Sequence, residues 1–538
     1  MTRIDERVST HVYKVKRISK EEMESIAGVC VYDQPPFCNA ACPLKLDVKA
    51  MLKAAAENDF KKAFKIYESI APFPLILSAG CGAPCEEKCR LCELGDGIAI
   101  GDIERAVALS GGAGEKRSIF RVRKKKKAAV FGSGLFALLL AGELEKKGYP
   151  VTAICGEADE EEYLRVAAGF LREDDFYTEL KRLRGKDIAF EFNAEMTREL
   201  FEEKRGGFDV LCASEKAALD IFPGAVRDEG IMLMESEGLL TGGGETVLEA
   251  ALGARKAALT ADRLAQGIDP RSARGEEGPV TSRLYTNPDL ARGLIRIKGC
   301  ESGYTREQAA EEAGRCMQCH CDECLRGCAY LRRFNKHPGL LSREIYNNTQ
   351  IIMGDHPLNR AMNACALCGQ CTVTCPHGFD MAHVCRTARE NMVDTDKMPL
   401  AAHEFALLDM LFSNGEAYLC RKQPGHSHCR YVFFPGCQAA AIAPEAVIAA
   451  YEDLCTRLKG GVALMLGCCG AIAHWAGRGE MYGEVRDKIA AELAALEDPV
   501  IIAGCPSCMK LLSEQDMAET VGIWTVLRDR GLPDGARG

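Results

Sequence analysis

The chain has 538 residues, a net charge of −9 and 28 cysteines. The negative charge is spread along the sequence, which excludes nucleic acid as a principal partner, and the length predicts several domains. No apolar run is long enough to cross a membrane, and the opening MTRIDERVSTHVYKVKR is charged, so the sequence predicts a cytoplasmic chain with no membrane span. Closely spaced cysteines in such a chain indicate metal binding rather than disulfides.

Residues 1–110 are predicted to be a helical domain with cysteines at both ends. LDVKAMLKAAAENDFKKAFKIYESIAP has apolar residues three and four apart on both sides of Asn58-Asp59, which predicts two amphipathic helices. PPFCNAACPLKLDV, GCGAPCEEKC and IAIGDIERA resemble the iron–sulfur domain of the glutamate synthase small subunit and of dihydropyrimidine dehydrogenase. That resemblance implies two 4Fe-4S clusters in this domain.

The same resemblance implies two ligand sets. The first set is Cys30, Cys38 and Cys89. The second set is Cys42, Cys81 and Cys85, with Glu104 at the family's non-cysteine ligand position. The family's second cysteine falls on Asp33, which departs from the pattern. Either the Asp33 carboxylate or the nearby extra thiol of Cys92 is available to take that place.

Residues 128–267 are predicted to form an α/β domain. KKAAVFGSGLFALLLAGELEKKGYPVTAI indicates strand, turn, helix and strand, and its Gly132-x-Gly134-x-x-Ala137 turn is a dinucleotide-binding fingerprint in the right context. The glycines permit a tight turn and the close approach of a pyrophosphate at the helix N-terminus. Glu157, just beyond the second strand, is the candidate for the adenosine ribose.

This domain resembles an abbreviated form of the flavin domain of the glutamate synthase small subunit. LLTGGGETVLEAALGARKAALTADRLAQG matches the family's closing flavin segment, which here includes Thr241 and Gly242. In that family a whole NADPH-binding domain separates this segment from the strand matched by GFDVLCAS, and the chain has no room for it. The resemblance implies bound FAD with no direct NAD(P) site. The alternative is a Rossmann-like scaffold without cofactor.

Residues 281–430 carry ferredoxin-type cysteines on helix-rich sequence. CALCGQCTVTCP is the bacterial C-x2-C-x2-C-x3-C-P run, made by Cys365, Cys368, Cys371 and Cys375. The partner run, RCMQCHCDECLRGC, contains Cys316, Cys319, Cys321, Cys324 and Cys328. We assign one cluster to Cys316, Cys319, Cys324 and Cys375, and the other to Cys328, Cys365, Cys368 and Cys371. Cys321 is an alternative to Cys324. Zinc usually takes two separated pairs of ligands, so these runs favour iron–sulfur over structural zinc.

Residues 431–530 are predicted to be a second α/β domain, whose strands YVFFPG, VALMLG and PVIIAG each end at a cysteine. The cysteines are Cys437, Cys468, Cys469, Cys505 and Cys508. FFPGC, GCCG and GCPSC resemble the CCG-type cysteine-rich domain of heterodisulfide reductase, and the order of the two regions resembles a fusion of two parts of that enzyme, its ferredoxin-type polypeptide and its CCG polypeptide. The resemblance implies a non-cubane 4Fe-4S cluster on five thiolates that acts on a disulfide or thiol substrate. The family enzyme carries two such copies, whereas this chain carries one.

The sequence therefore predicts a multidomain α/β protein with helical iron–sulfur domains, about four cubane clusters, one non-cubane cluster and FAD. Two functions remain open. In the first, the chain is an electron-transfer subunit of an anaerobic complex that serves a partner oxidoreductase subunit or a ferredoxin. In the second, it is an enzyme that reduces a disulfide or thiol-derived substrate at the C-terminal cluster. The single CCG copy and the missing NADPH domain favour the first.

Overall fold

The computed structural model describes residues 19–111, 123–272, 274–299, 303–351, 354–399 and 401–532. The chain divides into two compact units: one runs from Val31 to Cys321, and the other joins the segment ending at Cys30 to the chain from Asp322 onward. The first described helix, α1 (Lys20–Ala27), belongs to the latter. Both boundaries fall inside predicted domains, 1–110 and 281–430, and residues 1–18 of the first of these lie outside the described residues.

The unit from Val31 to Cys321 begins with a helical part. Its helices are α2 (Phe37–Ala41), α3 (Val48–Ala56), α4 (Phe60–Glu68), α5 (Pro74–Gly80), α6 (Pro84–Glu87) and α7 (Ile100–Gly111), with a 3-10 turn at Arg90–Glu93. The predicted pair of amphipathic helices is confirmed as α3 and α4. The carboxylates of Asp47 and Asp59 accept hydrogen bonds from the first turns of these helices, as N-caps do, and Asn58 takes the left-handed conformation between them.

The α/β part of this unit is a six-stranded sheet. Its elements are β1 (Ala128–Phe131), α8 (Leu135–Lys146), β2 (Val151–Ile154), α9 (Glu160–Ala168), α10 (Glu173–Arg184), β3 (Ile188–Glu191), α11 (Arg198–Arg205), β4 (Val210–Ser214), α12 (Glu215–Ile221), β5 (Leu233–Met234), β6 (Leu239–Gly242) and α13 (Val247–Gln266). The strand order is β3-β2-β1-β4-β6-β5, parallel except for β5. The parallel strands therefore present their carboxyl ends, including the glycine turn after β1, at one edge.

The end of this unit returns to its helical part. After a 3-10 turn at Pro288–Leu290, α14 (Arg306–Gly314) packs against α3 and α7. The fully buried Glu312 carboxylate accepts hydrogen bonds from the backbone N–H groups of Ala99 (3.1 Å) and Ile297 (2.9 Å). These bonds fix the C-terminal turn of α14, from which the chain enters the first cysteines of the ferredoxin-type run.

The other unit has a helical half that includes α1. Its remaining helices are α15 (Glu323–Gly327), α16 (Ala329–Phe334), α17 (Pro338–Gln350), α18 (Asn359–Ala364), α19 (Gln370–Thr374), α20 (Met381–Asp394) and α21 (Glu404–Asn414). Helix α17 packs against both α1 and α20. The contact with the end of α1 is close: a Cβ at Gly339 would lie 2.9 Å from Cβ of Cys30. Cys30 is thereby held beside the ferredoxin-type helices.

The second half of that unit is a five-stranded sheet. Its elements are β7 (Leu419–Arg421), β8 (Tyr431–Phe434), α22 (Cys437–Ile442), α23 (Pro444–Arg457), β9 (Val462–Leu466), α24 (Ala471–Trp475), α25 (Gly479–Ala495), β10 (Val500–Ala503), α26 (Pro506–Glu514), β11 (Thr520–Gly522) and α27 (Ile523–Arg530). The order is β11-β10-β8-β9-β7, parallel except for β7. The three predicted strands are confirmed as β8, β9 and β10, and the α/β character of the fold is confirmed with them.

Candidate metal centres

Five cysteines meet at the carboxyl edge of the five-stranded sheet. Strands β10, β8 and β9 are neighbours and run parallel, so the segments that follow them emerge side by side. Cys437 begins α22, Cys468 and Cys469 follow β9, and Cys505 and Cys508 lie at the start of α26. The structure therefore brings all five predicted residues to one edge.

The thiols of this group contact one another in series, from Cys437 to Cys468, Cys469 and Cys508. A hydrogen bond to Cys468, with burial, raises the pKa of Cys437. The pKa of Cys468 is lowered by its bond to Cys437, but the bond to Cys469 and burial outweigh this and raise it to about 11. Thiolates are disfavoured at such a site unless a cation accompanies them, so the chemistry of this donor set fits a metal centre.

Two backbone features hold the group in place. Gly436 has φ +90°, and a Cβ there would lie 3.0 Å from Cβ of Cys505 and 3.3 Å from Sγ of Cys508. Only glycine lets the turn after β8 approach these cysteines so closely. Asn414, at the end of α21, accepts from N–H of Cys468 (2.8 Å) and donates to its carbonyl (3.1 Å).

Four cysteines of the ferredoxin-type runs line one cavity of about 440 Å³. They are Cys328, Cys365, Cys368 and Cys371, the set that the sequence assigns to one cubane. The Cys385 thiol, buried on α20, forms a hydrogen bond with Cys365 that lowers the pKa of Cys365 to about 7. Backbone N–H groups of Met381 and Ala382 also bond to the Cys371 sulfur, although burial raises its pKa. The donor set and the cavity fit a cluster.

The apolar core of the ferredoxin-type helices contacts three more cysteines of this unit, namely Cys30, Cys324 and Cys375. Cys324 lies on α15 and Cys375 follows α19, and these two helices are in contact. Cys321 is the last residue of the other unit. Cys30, predicted as a ligand of the first N-terminal cluster, is packed against the ferredoxin-type helices of its own unit.

In the unit from Val31 to Cys321, one group contains Cys42, Cys81 and Cys85 around the buried carboxyl of Glu104. Burial raises the pKa of Glu104 to about 8, although a contact with the Tyr67 hydroxyl lowers it. The Tyr67 oxygen is fully buried yet makes no hydrogen bond of good geometry among the described residues. Burial also raises the pKa of Cys81 to about 12. These are the four residues predicted for the second N-terminal cluster.

A second group in this unit contains Cys38, Cys89, Cys316 and Cys319, all half-buried against one apolar core. Burial and the three neighbouring thiols raise the pKa of Cys38. The other ligands suggested for this cluster, Asp33 and Cys92, are both exposed. The Cys92 thiol donates to the Glu86 carbonyl at 3.4 Å.

The glycine turn after β1 takes backbone conformations that favour glycine. Gly132 and Gly134 have φ of +82° and +100°, and space around Gly134 is open. Ala137 is buried on α8, and one carboxylate oxygen of Glu157 is buried without a hydrogen bond among the described residues. Thr241 is fully buried on β6. At Gly242 a Cβ would overlap the Met232 methyl and the Phe136 ring, so the closing segment packs directly on the first turn of α8.

A cavity of about 240 Å³ lies next to two cysteine groups, within the unit that joins the segment ending at Cys30 to the chain from Asp322 onward. Leu367 and Gly369 line it from the Cys365–Cys371 loop, and Ser507 lines it from between Cys505 and Cys508. His474 also lines it, and its Nε2 accepts from the Arg386 guanidinium at 3.2 Å. Burial and that cation lower the pKa of His474. The cavity therefore has walls of mixed charge, with Arg386 and Lys510 beside Asp380 and Glu514.

Within the described ranges, no three Cys, His, Asp or Glu side chains converge closely enough to share one metal ion. A four-iron cluster takes each thiolate on a different iron, so its ligands stand further apart than those of a single ion. The described helices include none that is both long and apolar enough to span a bilayer.

Three segments match known domain models. Residues 7–112 match "dihydropyrimidine dehydrogenase domain II, 4Fe-4S cluster", residues 315–380 match a 4Fe-4S dicluster domain, and residues 431–513 match the CCG cysteine-rich domain. The predicted iron–sulfur and CCG regions are therefore confirmed.

Several curated proteins are similar in sequence to part of this chain. The chain is 28% identical over 230 residues to the beta subunit of NADPH-Fe(3+) oxidoreductase from Geobacter sulfurreducens, covering 40% of this chain and 33% of that one. It is 28% identical over 159 residues to the beta subunit of NADP(+)-dependent formate dehydrogenase from Moorella thermoacetica (25% and 21%). It is 29% identical over 146 residues to the small chain of glutamate synthase [NADPH] from Azospirillum brasilense (25% and 29%). The chain thus spans a third or less of each relative's length.

Sequence reasoning missed several residues that position the cysteines. Asn414 clamps Cys468, Cys385 bonds to Cys365, and Lys49 holds the carbonyl of Cys319. None of them belongs to a motif. Cys385 gave the nearest signal, as an isolated cysteine ten residues after Cys375, the last cysteine of the CALCGQCTVTCP run.

Proposed function

We propose that this chain is an iron–sulfur flavoprotein subunit of a larger anaerobic oxidoreductase complex, passing electrons between a partner subunit or a ferredoxin and other redox centres. The observation that carries the proposal is the gathering of cysteines from distant chain segments into compact groups in both units. Cysteine thiolates in sets of four are the usual ligands of 4Fe-4S clusters. A chain that carries several such clusters can pass electrons from one cluster to the next.

The relatives support a role beside a partner. Two of them are named as beta subunits of oxidoreductases, and this chain matches only part of each. The cysteines of these groups are carried on helices and turns that hydrogen bonds hold in place, such as those of the Glu312 carboxylate and of Asn414. Fixed ligands keep the surroundings of each centre constant while it changes charge.

FAD is the cofactor proposed for the six-stranded sheet. The turn at Gly132 and Gly134 fits a pyrophosphate, and the unpartnered Glu157 oxygen fits a ribose hydroxyl at the end of β2. When bound, a flavin exchanges electrons in pairs or singly and so joins two-electron donors to one-electron clusters. The packing of Phe136 on Gly242 narrows the space near the closing segment.

The first test is metal content. Anaerobically purified protein should contain about 20 iron atoms per chain, from four cubanes and one further cluster, with no stoichiometric zinc. Elemental analysis and Mössbauer spectroscopy measure this directly. A Cys212→Ala variant, which removes a buried thiol on β4 outside every group, should keep the full iron content. Zinc in place of iron at the Cys365–Cys375 run would refute the proposal.

The second test is flavin. The protein should release FAD on denaturation, and Glu157→Gln should weaken FAD retention about tenfold by loss of a charge-assisted hydrogen bond to the ribose. Glu199→Gln, an exposed carboxylate on α11, is the matched control. The isolated chain should not oxidise NADPH. Absence of flavin from every preparation would make this domain a scaffold.

The cavity of about 240 Å³ between two cysteine groups favours a second candidate, a heterodisulfide-reductase-like enzyme. Its walls include Ser507, between two cysteines of the C-terminal group, and the cationic side chains of Arg386 and Lys510. Asp380 and Glu514 line the same cavity, so a disulfide or thiol-derived substrate that carries charged groups of both signs would fit such walls. Under this candidate the C-terminal cluster is the site of reduction rather than a relay.

A further inference from the structure

The five residues Arg315–Cys319 connect α14 to the rest of the ferredoxin-type run, and they lie wholly in the unit from Val31 to Cys321. Met317 in their middle is buried in that unit's apolar core. Cys316 and Cys319 are half-buried against the same core. The described contacts of Cys316 and Cys319 therefore lie within this unit.

The start of the segment is tied beside Cys89. The guanidinium of Arg315 donates to the Asp96 carbonyl at 2.6 Å and pairs with Glu312 at 2.5 Å. The residue after Asp96, Gly97, lies against the cysteine loop, since a Cβ there would be 3.7 Å from Cβ of Cys89. Arg315 is almost fully buried, so this attachment fixes the position of the residue that follows it.

The end of the segment is tied beside Cys38. The Lys49 ammonium donates to the Cys319 carbonyl at 2.9 Å, and the Gln318 side chain donates to the Lys49 carbonyl at 3.3 Å. The backbone N–H of Lys49 in turn donates to the side chain of Asn39, which follows Cys38, at 3.1 Å. One lysine thus joins the two cysteine segments.

The thiols at the ends of these attachments act on one another. Burial, together with the neighbouring thiols of Cys319 and Cys89, raises the pKa of Cys316 to about 11. The Gln318 side chain donates to the Cys316 sulfur at 3.3 Å, as amides do around cluster thiolates. The Lys49 ammonium lowers the pKa of Cys319. Among the described groups that shift the pKa values of Cys38, Cys316 and Cys319, Lys49 is the one cation.

The motif spacing leaves Cys316 and Cys319 available to a cluster outside the ferredoxin-type pair. Aligning C-x2-C-x2-C-x3-C so that it ends at Cys328 places its second and third cysteines on Cys321 and Cys324. The first position falls on Gln318. The ferredoxin-type run therefore keeps three ligands at the proper spacing without Cys316 or Cys319.

We propose that Cys38, Cys89, Cys316 and Cys319 hold one 4Fe-4S cluster inside the Val31–Cys321 unit. The C-x2-C pair at the head of the dicluster run then completes the N-terminal cluster, in the place that the family pattern gives to Cys30 and the residue at position 33. Each thiol releases its proton on binding iron. The inference rests on the proposed iron–sulfur function and specifies its wiring.

Iron counting in paired variants of the full-length protein tests the wiring. Cys38→Ala, Cys316→Ala and Cys375→Ala should each lose one cluster, about four irons. Cys38→Ala combined with Cys316→Ala should lose no more than either alone, because both ligands belong to one cluster. Cys316→Ala combined with Cys375→Ala should lose about eight. The ferredoxin-type assignment predicts the reverse pattern, which would overturn the proposal.

Alkylation gives a second readout that needs only a single substitution, so it does not depend on the folding of a doubly substituted protein. In anaerobic Cys38→Ala protein, iodoacetamide should label Cys316 and Cys319 rapidly, while Cys375 stays protected. Labelling of Cys375 instead would also overturn the wiring. Protein that binds no iron at all would refute the proposed function, whereas iron-loaded protein with reversed pairing would refute only this inference. Cys155→Ala, a buried thiol beyond β2, should change neither result.

Discussion

Replacing Cys469 with serine should remove the C-terminal cluster and leave the other clusters intact. The Cys469 thiol is buried and forms hydrogen bonds with the thiols of Cys468 and Cys508. It therefore sits inside the series of ligands, and a hydroxyl is a much poorer ligand for iron than a thiolate. Iron should fall by about four per chain. EPR of the reduced protein should keep the cubane signals.

A matched control comes from the same domain. Cys455 lies on α23, where its thiol bonds to Tyr451 and packs against a different apolar cluster. Cys455→Ser should therefore retain wild-type iron and spectra. If Cys469→Ser also retained them, the five cysteines at the sheet edge would not be a metal centre.

The same variant separates relay from catalyst. In the catalytic alternative, wild-type protein oxidised with a thiol should show a distinct EPR species that Cys469→Ser lacks, together with disulfide-linked activity that the variant loses. A relay would show no such species with any thiol or disulfide. Transfer of electrons to a partner by the variant would then assign the C-terminal domain to docking.

The C-terminal centre was predictable from sequence because local pattern and tertiary position coincide there. Three short apolar strands each end at a cysteine, and adjacent parallel strands bring their carboxyl ends to one edge. Helices α3 and α4 were predictable for a similar reason, since their apolar spacing and capping residues are local. In both places the short-range signal already determines the long-range outcome.

The pairing of cysteine segments was not predictable in this way. Cys316 and Cys319 have a spacing that suits either of two clusters, and the contacts of Glu312, Arg315 and Lys49 hold them beside Cys38 and Cys89. Those contacts join residues more than 200 positions apart. A single sequence carries no periodic signal for them.

Arg389 on α20 is another residue whose long-range contacts could not be predicted from the sequence. Its side chain is only 1% exposed, and its guanidinium donates to three carbonyls, those of Met362 (2.9 Å), Cys365 (2.5 Å) and Trp475 (2.7 Å). The backbone of α20 also passes against Gly477, where a Cβ would lie 2.6 Å from the Arg389 carbonyl carbon. One buried cation thus ties the ferredoxin-type loop to helix α24 of the five-stranded half.

Replacing Arg389 with methionine should destabilise this unit by about 3–5 kcal/mol, because three carbonyls lose a charged, almost fully buried donor that methionine cannot replace. For a unit of this size the apparent unfolding midpoint should fall by roughly 10 °C. Circular dichroism under anaerobic conditions measures the midpoint. Arg360→Met on α18 is the control, since Arg360 is exposed and its replacement should leave the midpoint almost unchanged. Equal shifts in the two variants would show that Arg389 does not join the two halves, since the loss would then reflect only the removal of a positive charge.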